Sequence, residues 1–266
     1  MPRRSLLLAL LLAAPACGDT PTEPVARRVD LRTATGLATP RPVGVAIDPA
    51  GDRLVLDEDA GLFRVTPDGR ATRVRALTEL PDPGVPIRPP YTDLVALGDG
   101  QYALTAIGDG FLLDLGADTM RQYFCYEPGG FPDDQEQRTG AVGYDAATGK
   151  LFAQPRTFDL EGALLRNEVA SYDRVTGRDE TWRALPMDLD AGGLYAPGDG
   201  GLILGAGTRL YRYTYADFSL TEVDDLARFG VGAIAGLGHD PTTGTVTVLD
   251  GARGELVEVA RADLAY

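Results

Sequence analysis

Carboxylates beside turns are the residues of this chain best placed to do chemistry. Asp57, Glu58 and Asp59 stand together, and Asp93, Asp109, Asp190 and Asp250 follow at the edges of later apolar runs. If several such oxygens converged they would suit a hard divalent cation, Ca²⁺ or Mg²⁺. Dispersed, they are solvated loop acids, which a chain with 39 Asp and Glu supplies everywhere. Tyr91, two residues before Asp93, could face a ligand, and Arg156 adds a guanidinium. Nitrogen ligands are scarce. His239 is the only histidine, so a Ser-His-Asp or Cys-His relay would have to run through it, and a multi-histidine zinc site is excluded. Its place in a turn reads as structural. Residues 188–199, DLDAGGLYAPGD, have acids at the first, third and twelfth positions and Gly193 at the sixth, as in an EF-hand loop. Flanking helices and a terminal Glu are lacking, so the match reads as coincidence. GDGG at 198–201 joins two strands and is a hairpin turn, not a phosphate loop. Trp182, Tyr211 and Tyr213 read as packing residues.

What positions these residues is a repeat. Residues 43–76 read VGVAID, a PAG turn, DRLVLD, a short acidic loop, LFRVT, a PDG turn and TRVRA. That is four short strands joined by turns whose glycines supply positive φ. Gly51 in the first turn has counterparts at Gly100, Gly149, Gly200 and Gly244, at intervals of 49, 49, 51 and 44 residues. Regular spacing of this kind marks a repeat architecture, slightly longer than the ~40–45 residues of a compact propeller repeat. The second copy runs TDLVAL, QYALTA, GFLLDL, MRQYFCY; the third AVGYD, KLFAQ, EVASYD, ETWRAL; the fourth GLYA, LILGA, RLYRYT, SLTEV. The fifth has AIAGLG, TVTVLD and ELVEVA and lacks a fourth strand. An isolated strand at 27–33, RRVDLRT, is expected to supply it, pairing the two ends of the chain and leaving no open sheet edge. The expected fold is all-β: a five-bladed β-propeller of four-stranded antiparallel blades, one domain over residues 27–266, its last blade closed by the N-terminal strand. A sixth blade finds no strands in the sequence, and a sandwich does not explain the period.

Three stretches interrupt the rhythm. Residues 81–90 (PDPGVPIRPP) lengthen the link between blades one and two, 127–137 (EPGGFPDDQEQ) the link between two and three, and 155–167 the loop between the second and third strands of blade three. Long loops in a compact domain are functional or mobile. Propeller topology puts links between blades and B–C loops at one end of the ring. A ligand face is therefore expected there, built from Asp57, Asp59, Tyr91, Asp93, Asp109, Arg156, Asp190 and Asp250. The acidic loop of blade one is expected to be the part of its unit least needed by the fold.

Composition narrows the partners. The net charge is −14, which repels phosphate backbones and argues against nucleic acid. Lys150 is the only lysine, and the preference for Arg with many Ala and Gly points to a GC-rich bacterial genome. Arg3 and Arg4 precede an apolar run at 6–14 and the small-residue triplet Ala14-Pro15-Ala16, the layout of an export signal. The run is far shorter than the ~20 residues that span a bilayer. There are two cysteines, Cys17 directly after the triplet and Cys125 in RQYFCYE. Cys125 reads as a small buried apolar residue. A disulfide between them is conceivable only with Cys17 unmodified.

The Cys17 junction resembles the lipobox of bacterial lipoproteins, in which the cysteine becomes the new N-terminus and carries acyl chains. The usual Leu three positions before it is Ala14 here, and Pro15 is atypical, so an ordinary signal-peptidase cut after Ala16 is the competing reading. The resemblance implies a signal peptide over 1–16, lipidated Cys17 and a polar tether to residue 26. Blade one, GVAIDPAGDRLVLDEDAGLFRVTPDG, is similar to a repeat of the NHL and SMP-30-like propeller group, and blade five matches more loosely. That group includes metal-dependent lactonases, which hold a cation in the central channel with Glu, Asn and Asp, and proteins that only bind partners. The sole asparagine, Asn167, lies in no motif that carries such a role over, so no metal ligand is assigned. The expected function is that of a monomeric, lipid-anchored module of the cell envelope that binds an envelope protein, peptide or glycan without a cofactor and meets the membrane only through its anchor. The alternative is a Ca²⁺- or Mg²⁺-dependent hydrolase of the lactonase type.

Overall fold

Alternating short strands with a polar turn every few residues cannot bury their apolar faces alone, and they stack instead. The computed structural model describes residues 26–48, 50–87, 90–125, 134–186 and 188–266. The expected signal segment, Cys17, most of the expected tether and most of the 127–137 link lie outside them. The first strand, β1 (Arg27–Asp30), is followed by a one-turn helix, α1 (Leu31–Thr35). Blade one is β2 (Pro42–Ile47), β3 (Arg53–Asp57), β4 (Gly61–Val65) and β5 (Ala71–Arg75). Blade two is β6 (Tyr91–Gly98), β7 (Gln101–Ala106), β8 (Asp109–Asp114) and β9 (Thr119–Cys125). Blade three is β10 (Gln135–Asp145), β11 (Lys150–Asp159), β12 (Leu164–Asp173) and β13 (Asp179–Ala184). Blade four is β14 (Gly193–Tyr195), β15 (Gly201–Ala206), β16 (Arg209–Thr214) and β17 (Leu220–Asp225). Blade five is β18 (Ile234–Asp240), β19 (Thr245–Asp250) and β20 (Glu255–Ala260), completed by β1 in the sheet order β1-β20-β19-β18.

The first strand of each blade packs on the first strand of the next, β2 on β6, β6 on β10, β10 on β14, β14 on β18, and β18 back on β2. The ring closes at five blades. Glycine permits this approach: a Cβ on Gly44 would stand 2.6 Å from the Leu94 amide nitrogen, and one on Gly193 2.5 Å from that of Leu237. The five turn glycines read from the sequence all have positive φ, between 67° and 89°.

The core lies between blades. Leu54, Leu56 and Leu62 of blade one pack with Leu94, Leu104 and Phe111 of blade two; Ile203 and Leu210 of blade four pack with Leu237, Val246 and Val257 of blade five. Each such side chain contributes about 1.5–3 kcal/mol on burial, and no blade can collect that contribution without its neighbour.

Three expectations change. The N-terminal strand stops at Asp30, because Asp30 caps α1: its carboxylate accepts from the Arg32 amide at 2.9 Å and the Thr33 hydroxyl at 2.6 Å, diverting the chain from the sheet. Residues 155–167 are not a loop. β11 and β12 run on past the ring as a hairpin whose connection is only residues 160–163, and β10 joins them from Gln135. The result is a three-stranded tongue. Residues 135–137, expected in the link, belong to β10.

Candidate functional site

Strand direction places all eight candidate side chains at one end of the ring. Innermost strands run from the loop end towards the A–B turns and second strands return. Tyr91 and Asp93 open β6, Asp57 and Asp250 end β3 and β19, Asp59 and Asp109 flank B–C turns, Arg156 is in the tongue, and Asp190 is in the link from blade three to four. Arg156 and Asp190 meet directly, Nη1 to Oδ1 at 2.6 Å.

Asp57 and Asp250 serve the fold, and in the same way. Asp57 accepts from the Arg41, Asp59 and Ala60 amides at 2.6, 3.1 and 2.9 Å. Asp250, fully buried, accepts from the Gly232, Ala233 and Ala252 amides at 2.8, 3.1 and 3.1 Å and from Arg253 Nη1 at 3.1 Å. Each carboxylate ties its B–C turn to the entry of its own innermost strand. The acidic loop of blade one is therefore part of what holds the blade, contrary to expectation. Its other two acids are held by one arginine: Glu58 lies 2.8 Å from Arg41 Nη2 and Asp59 3.3 Å from Nη1. Burial raises the Asp250 pKa, but the Gly232 and Ala233 amides and Arg253 outweigh it and hold the carboxyl below the ordinary range.

Asp93 is the opposite case. It follows the bulge of its innermost strand at the step where blades one and five have Gly44 and Gly236. Its carboxylate accepts from its own neighbour Leu94 at 2.7 Å and, across the blade seam, from Val142 at 2.8 Å. Burial dominates and pushes its pKa well above the ordinary 3.8, with the two amides pulling it back. A folded value above the unfolded one means that this group's contribution is complete below about pH 3.9 and is lost as pH rises through the folded value. Asp93→Ala is expected to remove that slope. The difference in melting temperature, wild type minus variant, should fall as pH is raised from about 4, and a difference flat in pH contradicts this. Tyr91 is buried beside it, which raises its pKa; Asp109 accepts from Gln122 Nε2 at 2.7 Å.

The tongue holds what sequence reading missed. Phe158 is flanked by the guanidinium groups of Arg138 and Arg156, 4.9 and 5.1 Å from its ring centroid. Glu136 holds Arg138 through two bonds of 3.1 Å. At the tongue's base, Gln154 Nε2 donates to Asn167 Oδ1 and to the Leu189 carbonyl, both at 2.8 Å, and its Oε1 accepts from the Ala191 amide at 2.9 Å. Asn167 Nδ2 donates to the Pro186 and Leu189 carbonyls at 2.6 Å. The single asparagine thus fastens a blade link. At the tip, Leu160 is 73% and Leu165 44% exposed. The strand-favouring pair Thr157 and Phe158 was the available signal, hidden by Pro155, which the sheet admits beside the register shift between Thr139 and Val142.

Two hollows accompany these elements. Beside the tongue, a groove of about 480 Å³ lies between Asp188, Leu189 and Asp190 of the link and Tyr211, Leu220 and Glu222 of blade four. At the opposite end, turns of all five blades enclose an axial hollow of about 530 Å³ that Asp48, Asp145, Asp240 and His239 help line. His239 belongs to β18 and not to the turn; it stacks on Tyr195 at 5.4 Å, and burial lowers its pKa, so it is neutral at neutral pH.

Among the described residues no three His, Cys, Asp or Glu side chains come together as metal ligands. Asp57, Asp93 and Asp250 already turn their oxygens to backbone amides, and Asn167 is spent on a link. This donor set does not fit a cation held in the channel by Glu, Asn and Asp. The EF-hand-like spacing is likewise divided, with Asp190 bound to Arg156, β14 running through its middle, and Asp199 paired with Arg212 at 2.9 Å.

Solved structures of similar shape include a gluconolactonase from Xanthomonas campestris, 13% identical over 82% of this chain and 72% of that one, with a TM-score of 0.53. A chain of a nidogen–laminin complex is 12% identical over 85% and 83%, with a TM-score of 0.51. The extracellular domain of a hybrid two-component system from B. thetaiotaomicron is 11% identical with a TM-score of 0.49, and this chain covers 81% of itself but only 27% of that one. No family model and no curated protein matches the chain. Likeness at such identities carries the propeller fold and nothing finer.

Proposed function

We propose that the protein is an exported, lipid-anchored β-propeller of the bacterial cell envelope, a binding or scaffold module that takes an envelope protein, peptide or glycan at its loop end. The observation that carries this reading is the tongue. Three strands are extended beyond the ring, stiffened by the Arg138–Phe158–Arg156 stack, and end in two exposed leucines. An apolar projection beside a polar groove has the anatomy of a contact surface, in which a few buried anchors carry most of the affinity. The carboxylates that could have argued for chemistry are instead used to hold turns and seams. In this role the protein needs no cofactor and acts as a monomer.

The test compares capture from envelope extracts by wild type and by the Leu160→Asp/Leu165→Asp double variant. Truncating one anchor typically costs 2 kcal/mol or more, about 30-fold in affinity, so the variant is expected to lose what the wild type retains. Its melting temperature should be unchanged, because both side chains are exposed. Equal capture by the variant, or lactone hydrolysis that depends on added Ca²⁺ or Mg²⁺, would speak for the lactonase-type alternative or another face.

A further inference from the structure

The point at which the chain enters the fold decides which end of the ring faces the bilayer. β1 is antiparallel to β20, with Arg27 opposite Glu258 and Asp30 opposite Glu255. Ala260, at the far end of β20, pairs with Thr245, the first strand residue after the A–B turn of blade five. The chain therefore comes in at the A–B-turn end, away from the tongue. Arg27 pairs with Glu258 at 3.4 Å and Ala26 packs on the cluster that includes Val257, Val259 and Leu264, while Arg28 reaches back towards the loop end, to Glu255 and the Phe229 carbonyl.

We infer that the anchored propeller stands with its A–B-turn end towards the lipid and its loop end, tongue included, pointing away from the membrane that holds it, towards a partner elsewhere in the envelope. The inference rests on the reading of Cys17 as the anchor. Nine residues, 18–26, separate Cys17 from β1. Nine residues cannot reach beyond about 30 Å. β11 has ten residues and so spans about 33 Å from the A–B end into the tongue, with Leu160 beyond it. Arg27 lies opposite Glu258, two residues inside the A–B end of β20, so an inverted molecule, resting its tongue tip on the bilayer, would need its tether stretched almost to full length. Charge does not draw this end to the lipid and limits how closely it approaches. The hollow at the A–B end is lined by Asp48, Asp145 and Asp240 and by no Lys or Arg, so an anionic leaflet repels it. That repulsion opposes flat docking on the lipid.

The test uses the full, acylated protein in vesicles of phosphatidylethanolamine and phosphatidylglycerol that carry a headgroup-attached quencher. A dye is placed at Thr148→Cys or at Leu160→Cys, each with Cys125→Ser. Both positions are exposed and lie at opposite ends of β11, so they differ chiefly along the strand. Should Cys125→Ser disturb the fold, an encoded azide residue at the same two positions replaces the cysteine chemistry. Quenching several-fold stronger at 148 than at 160 is expected; equal or stronger quenching at 160 overturns the orientation. Flotation is read first. Protein that fails to float with the vesicles, or a Cys17→Ala variant that floats as the wild type does, overturns the anchor itself, a failure distinct from that of the orientation.

Discussion

A chain that starts at Arg32, and so lacks β1 and Leu31, is expected to lose the folded monomer. β1 does more than complete a blade. Val29 and Leu31 are buried in a cluster with Leu249 and Leu256 of blade five and Val45, Val55 and Val65 of blade one, so they sit in the seam between the last blade and the first. Removing a side chain such as Leu31, 1% exposed, costs about 2–5 kcal/mol. The truncation also takes Val29, the backbone pairing with β20 and the ion pairs of Arg27 and Arg28. Together these losses rival the whole stability of a typical domain, roughly 5–15 kcal/mol. The bare β20 edge is then free to pair with another chain. Size-exclusion chromatography with circular dichroism should show aggregate or an uncooperative melt. A cooperative monomer melting like the wild type contradicts the closure.

Asp250→Ala is expected to destabilise more than any other single change to a carboxylate in the chain. The substitution removes the acceptor for three backbone amides and a guanidinium at a site with no exposure to water. Each buried donor left without a partner costs about 1–3 kcal/mol, and local relaxation recovers part of that. A net loss of about 3–4 kcal/mol lowers the melting temperature of a protein this size by roughly 6–15 °C. Its pH dependence has a definite sign. Because the folded Asp250 carboxyl is held below the ordinary range, its contribution is present above about pH 3.9 and is lost as pH falls through the folded value. Wild type and variant should converge in strong acid. A calorimetric difference of less than about 2 °C at neutral pH would show that the turn holds without it.

The fold was largely legible because its signal is redundant. Turn glycines recur at near-constant spacing, every blade repeats the same alternation, and the one missing strand has one unassigned candidate. The failures have physical causes. Asp30 reads as one more polar residue of a strand, yet its carboxylate caps α1 and ends β1 early. Pro155 hid the tongue, since a proline inside an alternating run normally argues against a central strand, and only the register shift of β10 makes room for it. The candidate site was legible in place but not in role. Topology put the eight side chains at one end, but whether an aspartate points to solvent or to its own turn depends on a few ångströms of loop path. Asp57 and Asp250 therefore looked like free acids. Gln154 and Asn167 gave no signal, because a buried amide network shows itself only once the blade link it fastens has been placed.

Position-specific photo-crosslinking in intact cells tests most directly whether the tongue is where this propeller meets its partner. A photoreactive residue is encoded at Leu160, at the tongue tip, and in a second strain at Thr148, on the A–B turn of the same blade. A discrete adduct is expected from 160 that is absent from 148 and disappears when Leu165→Asp is added. Adducts of equal yield from both positions, or from 148 alone, would contradict it.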